Sequence, residues 1–167
     1  DKRYRCILSM KIFRRPFKKS GTAFDVKFAL ITFVLLWGFA ACAVEFNVRG
    51  ILASIVFVFI LVQIYISRFY YIILKDDRLI VQNGVYSFWR KEVRYIDIAE
   101  VRIKWHGDKS YPYMKIITRK PSGISWRYTI DLVDPQDYEA IVKDVEAKGI
   151  TVETQGIDVY ARIFKDE

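Results

Sequence analysis

The 167-residue chain has the length of one ordinary domain, or of a small domain joined to an anchor. At 53% hydrophobic and 28% charged it is oily for a soluble domain and too charged for one built wholly in lipid, so the two kinds of residue must be segregated. The net charge of +8 does not support a nucleic-acid partner: residues 1–27 hold nine Lys and Arg against two acids, whereas residues 68–167 hold seventeen against sixteen, which leaves the folded part near neutral.

The first 27 residues read as a basic segment on the cytoplasmic side. Within KIFRRPFKKSG, Arg14, Arg15, Lys18 and Lys19 alternate with Phe13 and Phe17, and Pro16 interrupts any long helix. These four cations are candidate contacts for anionic lipid, at about 1 kcal/mol per basic residue near the surface. The alternative is that they act as a topology signal alone.

Residues 28–69 read as a transmembrane hairpin. FALITFVLLWGFAACAV, Phe28 to Val44, carries no charge, and at ~1.5 Å per residue it covers ~26 Å of a ~30 Å hydrocarbon core. ILASIVFVFILVQIYI, Ile51 to Ile66, is interrupted by Gln63, a candidate for an interhelical hydrogen bond. The connection Val44 to Gly50 is short enough to demand two antiparallel helices. Six basic residues in 11–27 and three in 67–86, against one in the connection, predict that both termini lie in the cytoplasm of a multi-pass inner-membrane protein. Basic residues, an apolar run and AACAVE also resemble a signal peptide, but the long charged leader and the second apolar run favour an uncleaved anchor.

From Tyr70 the period changes to two. Arg78 to Gln82 is a predicted strand after an Asp76-Asp77 turn, and Asn83-Gly84 predicts a two-residue type I′ hairpin. Phe88 to Tyr95 places Trp89, Val93 and Tyr95 on one face; Val101 to His106 places Val101, Ile103 and Trp105 there. Tyr113 to Arg119 and Ser125 to Leu132 follow, the latter with Trp126, Tyr128, Ile130 and Leu132 alternating. DPQDYEAIVKDVEAKG, Asp134 to Gly149, predicts a helix with an Asp cap, Pro at its first position, a Gly stop and a buried stripe of Tyr138, Ile141, Val142 and Val145. Residues 150–167 form a C-terminal extension: an edge strand, an arm pairing with a neighbour, or a tail.

Tyr71 to Val81, Gly84, and Ile96 to Ile103 together resemble the bacterial pleckstrin-homology-like domains that follow a pair of membrane helices. Lys75 stands where that family more usually has Thr. The resemblance covers residues 28–149 and implies, over 70–149, a partly open, curved antiparallel barrel capped by one C-terminal helix, with homo-oligomeric assembly. The expected fold class is therefore a membrane-anchored α+β protein.

No catalytic or metal set is expected, and no cofactor. His106 is the one histidine and sits on a polar strand face, Cys6 and Cys42 have no ligand spacing, and neither a phosphate-binding glycine loop nor a nucleophile motif occurs. Arg90, Arg94, Arg102 and Lys104 form a candidate outer-face patch on two neighbouring strands, against the alternative of a solvated face. The expected function is non-catalytic: protein interaction and assembly at the membrane. An anionic-lipid-sensing or transport-accessory role is the competing expectation.

Overall fold

The computed structural model describes residues 10–43, 48–107, 111–120 and 126–164, with side chains at 39–49 excepted. Of the connection expected at Val44 to Gly50, residues 48–50 already belong to the second apolar helix, and residues 44–47, with Cys6 and the Cys42 side chain, lie outside the described residues. The fold is α+β. In chain order come strand β1 (Lys11–Phe13), helices α1 (Gly21–Ala43) and α2 (Val48–Ile66), strands β2 (Tyr70–Leu74), β3 (Arg78–Asn83), β4 (Arg90–Arg94), β5 (Ile98–Lys104), β6 (Tyr113–Thr118) and β7 (Arg127–Thr129), helix α3 (Tyr138–Glu146), strand β8 (Thr151–Gln155) and helix α4 (Ile157–Ile163).

α1 and α2 present apolar side chains around their circumference: Phe28, Val34 and Leu35 on one and Leu52, Phe57 and Phe59 on the other are all exposed. Among the described residues one helix, through its segment Gly21–Gly38, is long and apolar enough to cross a membrane; Gly50–Ile66 is a shorter apolar helix. The Trp37 indole N–H donates to Ser54 Oγ at 2.9 Å, and Arg68, just past α2, lies 3.9 Å from Asp25 near the start of α1. Those two contacts join early α1 to the end of α2 and late α1 to its beginning, so the helices run antiparallel.

The strands form two four-stranded sheets, ordered β1-β2-β3-β4 and β7-β6-β5-β8, linked by a bridge between Phe69 and Ile130. Inward residues of both sheets, among them Ile72, Leu79, Val81, Val101, Ile103 and Met114, share one core with Tyr138, Ile141 and Val145 of α3. Each such side chain contributes about 1.5–3 kcal/mol on burial. A second cluster of Phe69, Tyr71, Ile73, Ile80 and Leu132 packs with Val26 of α1 on the opposite face of β2 and β3. Burial on both faces explains why β2 reads YYIIL, with no alternation.

α3 follows the sequence closely. Asp134 Oδ1 accepts from the Gln136 N–H at 3.1 Å, Pro135 opens a 3-10 turn, and Gly149, at φ 78°, stops the chain in the left-handed region. Beyond it the chain returns as β8, parallel to β5, so the sheets are not wholly antiparallel. α3 supplies the crossover that a parallel neighbour requires. The extension is thus an edge strand of its own sheet, followed by a second C-terminal helix in which Ile157 and Tyr160 join the core.

Two further expectations are corrected, and one strand is found where none was expected. The first hairpin is no two-residue turn: the Asn83 N–H donates to the Trp89 carbonyl at 2.8 Å, closing a loop over 84–88, and Asn83 Oδ1 accepts from the Val85 and Tyr86 N–H groups. Gly84 is needed for space, since a Cβ there would enter the Leu132 side chain. Trp126 does not join Ile130 and Leu132 inside; it is 66% exposed, because β7 pairs over three residues alone. The basic N-terminal segment is partly β-structure: Lys11–Phe13 pairs antiparallel with Ile72–Leu74.

Candidate functional site

The junction of helices and sheets is built around Asp131. This carboxylate is fully buried, accepts from Arg15 Nη2 at 2.9 Å through Oδ1, and accepts from the Thr22 N–H at 2.9 Å through Oδ2. Arg15 Nε donates to the Asp131 carbonyl oxygen at 2.9 Å, and the Arg15 N–H to Leu132 O at 2.8 Å. Thr22 is in the first turn of α1, where a negative charge meets unpaired amides and the positive helix end. Ser20 Oγ completes the cap by accepting from the Ala23 N–H at 3.2 Å. Next to it, the Tyr111 hydroxyl donates to Asp25 Oδ2 at 2.6 Å. Burial and the neighbouring Asp25 carboxylate push that phenol up from its usual range.

Arg15 is therefore withdrawn from the lipid-contact candidates: it is 6% exposed and its Nε and Nη2 donate to Asp131. Arg14, Lys18 and Lys19 are exposed, with Arg14 lying over the Tyr71 ring at 5.0 Å. Lys18 and Lys19 occupy the short 3-10 turn that leads into α1.

The outer-face patch is dispersed. Arg90 and Arg94 belong to β4 of one sheet, Arg102 and Lys104 to β5 of the other. Arg94 pairs with Asp97 at 2.9 Å; Arg102 pairs with Glu100 and Glu153; Lys104 pairs with the same Glu153. The acid that neutralises both β5 cations comes from β8, whose partner could not be read locally. Gln63 is also reassigned: its Nε2 donates to the Tyr86 hydroxyl at 3.3 Å, tying α2 to the first hairpin loop rather than to α1. Asn83 Nδ2 reinforces this tie by donating to the Ile66 carbonyl at 2.8 Å, at the end of α2. His106 is exposed and meets the Tyr113 hydroxyl at 3.0 Å.

A groove of about 810 Å³ opens beside the end of α2. Ile64 and Ser67 form its helix wall, Phe88, Trp89 and Arg90 a second wall, and Trp126 and Arg127 a third, with Arg68 at the helix end. No acid lines it. The loop wall is held by Tyr86, whose ring packs 5.3 Å from Phe88 and 5.0 Å from Trp89. Sequence reasoning singled out Arg90 alone here. The available signal was the repeated juxtaposition of aromatic and arginine in Phe88-Trp89-Arg90 and Trp126-Arg127-Tyr128.

Among the described residues, no three His, Cys, Asp or Glu side chains come together to hold a metal. Comparison with protein-family models, with curated proteins and with solved structures returns no match for this chain.

Proposed function

We propose that this is a non-catalytic protein of the bacterial inner membrane. α1 and α2 span the bilayer as a hairpin, both termini lie in the cytoplasm, and the two sheets with α3 form a PH-like, partly open barrel held at the membrane surface. The domain serves as a docking platform for protein partners, including further copies of itself.

The observation that carries this reading is the Asp131 network. A buried carboxylate of the β domain holds Arg15 and the first turn of α1 together, so the domain does not hang on a free linker. A platform with a fixed orientation to its anchor presents the same surface to every partner. Apolar side chains around both helices and the basic excess on the domain side of the connection support the bilayer part.

Native mass spectrometry of the full chain extracted in mild detergent tests the platform. A defined multimer, or a stoichiometric complex with another protein, is the expected result. A lone monomer under all mild conditions removes the assembly role. A lipid-contact role is favoured by a separate observation, the arginine- and aromatic-lined groove.

A further inference from the structure

We infer that the groove beside the end of α2 binds one anionic phospholipid, with its phosphate among Arg68, Arg90 and Arg127 and its acyl chains along the exposed face of α2. This deepens the proposed function and rests on its placement of α2 in the bilayer.

Charge is the first argument. Elsewhere in the domain, Arg15, Arg78, Arg94, Arg102, Lys104 and Lys143 are each matched to a carboxylate. Arg14, Arg119 and Arg162 are not, among the described residues, but they stand on separate elements, after β1, after β6 and in α4. In the groove the lining includes no acid, Arg68 reaches Asp25 at a long 3.9 Å, and Arg90 and Arg127 have no carboxylate partner among the described residues. Arg127 is oriented by lying 5.1 Å over the Tyr113 ring. A phosphate diester supplies the charge these side chains lack and matches the planar guanidinium fork.

Apolar exposure is the second. Phe88 is 71% and Trp126 66% exposed, on a domain whose other large aromatics are mostly covered. Aromatic side chains with adjoining cations are characteristic of the zone between headgroups and acyl chains. The third argument is continuity: Ile64 lines the groove and is itself exposed, as is Ile60 one turn earlier, so the groove runs directly onto the apolar surface of α2. A soluble phosphate compound would use the arginines and leave that apolar path unfilled; a phospholipid uses both. The volume falls within the range of sites that enclose a small ligand, ~300–1,000 Å³.

The test uses the full chain in nanodiscs of phosphatidylcholine containing a minor fraction of phosphatidylglycerol, brominated on one lipid at a time. Brominated phosphatidylglycerol should quench the tryptophan emission beyond its share of the bilayer, and native mass spectrometry should retain one such lipid per copy. The double variant R90Q/R127Q should lower the preference about thirty-fold, from ~1 kcal/mol per basic residue. R94Q, on the same strand as Arg90 but outside the groove, should leave it unchanged. Adding soluble glycerol phosphate should not compete.

Quenching in proportion to bilayer share, an unchanged preference in the double variant, or displacement by glycerol phosphate would each overturn the inference. So would a co-purifying polypeptide that shields Trp126 from both lipids. Failure of the underlying bilayer reading looks different: neither brominated lipid would quench at all.

Discussion

Arg15 holds both the carbonyl oxygen and the carboxylate of Asp131, each at 2.9 Å, across 116 positions of sequence. A residue that precedes the first helix is thereby fixed to the segment that leads into α3. Removing one member of a buried pair leaves the other charge without compensation and costs about 3–5 kcal/mol. Arg15→Met should lower the thermal midpoint of the detergent-purified protein sharply, and R15M/D131N should recover part of the loss. Lys19→Met, an exposed neighbour, should cause no measurable change.

Gly84 lies against Leu132, and its N–H donates to the Phe69 carbonyl at 2.6 Å. Gly84→Ala should destabilise the domain by ~1–3 kcal/mol through overpacking. Adding Leu132→Ala should relieve the clash while losing its own burial, so the two effects should be non-additive in thermal unfolding. A type I′ turn would behave otherwise, since there Gly84→Asn would be tolerated.

Tyr160 of α4 packs against Trp105 at 5.4 Å and Tyr138 at 6.2 Å, bringing the C-terminal extension into the core. Tyr160→Ala should cost about 3–5 kcal/mol, as for other large aromatic truncations. A mobile tail would make the same substitution silent. Thermal unfolding followed by near-UV circular dichroism distinguishes the two.

Hydrogen bonds from Arg78 hold the Asp77 and Glu92 carboxyls below their ordinary values of 3.8 and 4.5. A depressed carboxylate stabilises the fold above its unfolded value and loses that contribution as pH falls through the folded one. The Arg78 contribution should therefore be complete above about pH 4.5 and fade in more acidic solution. In acid unfolding, Arg78→Met should show a shallower loss of stability over that window. Because these groups are exposed, the difference should shrink in high salt.

What was legible in the sequence is what is encoded locally. α3 was readable because Asp134, Pro135 and Gly149 each act within a turn of themselves, and the inward sets Val101/Ile103 and Tyr138/Ile141/Val145 because one side of each element is buried. The two apolar helices were readable because their apolar residues form nearly unbroken runs along the sequence. β1 was not, because three residues are too few to show a period and its partner lies beyond both helices. Arg15 looked like its neighbours Arg14 and Lys18, and nothing near it in sequence announces Asp131. The patch on β4 and β5 failed likewise: successive strands lie in different sheets, and Glu153 arrives from β8 to neutralise Arg102 and Lys104.

The placement of α1 and α2 as two spans is tested most directly by labelling one cysteine in the connecting segment between them. In a Cys6→Ser/Cys42→Ser background, Asn47→Cys should react with a membrane-impermeant maleimide added to intact spheroplasts, while a cysteine at exposed Lys120 should react after lysis alone. Labelling of both sites from the same side would contradict a hairpin that crosses the bilayer twice, and labelling of Asn47 from the cytoplasmic side alone with Lys120 reached from outside would reverse the orientation proposed for it.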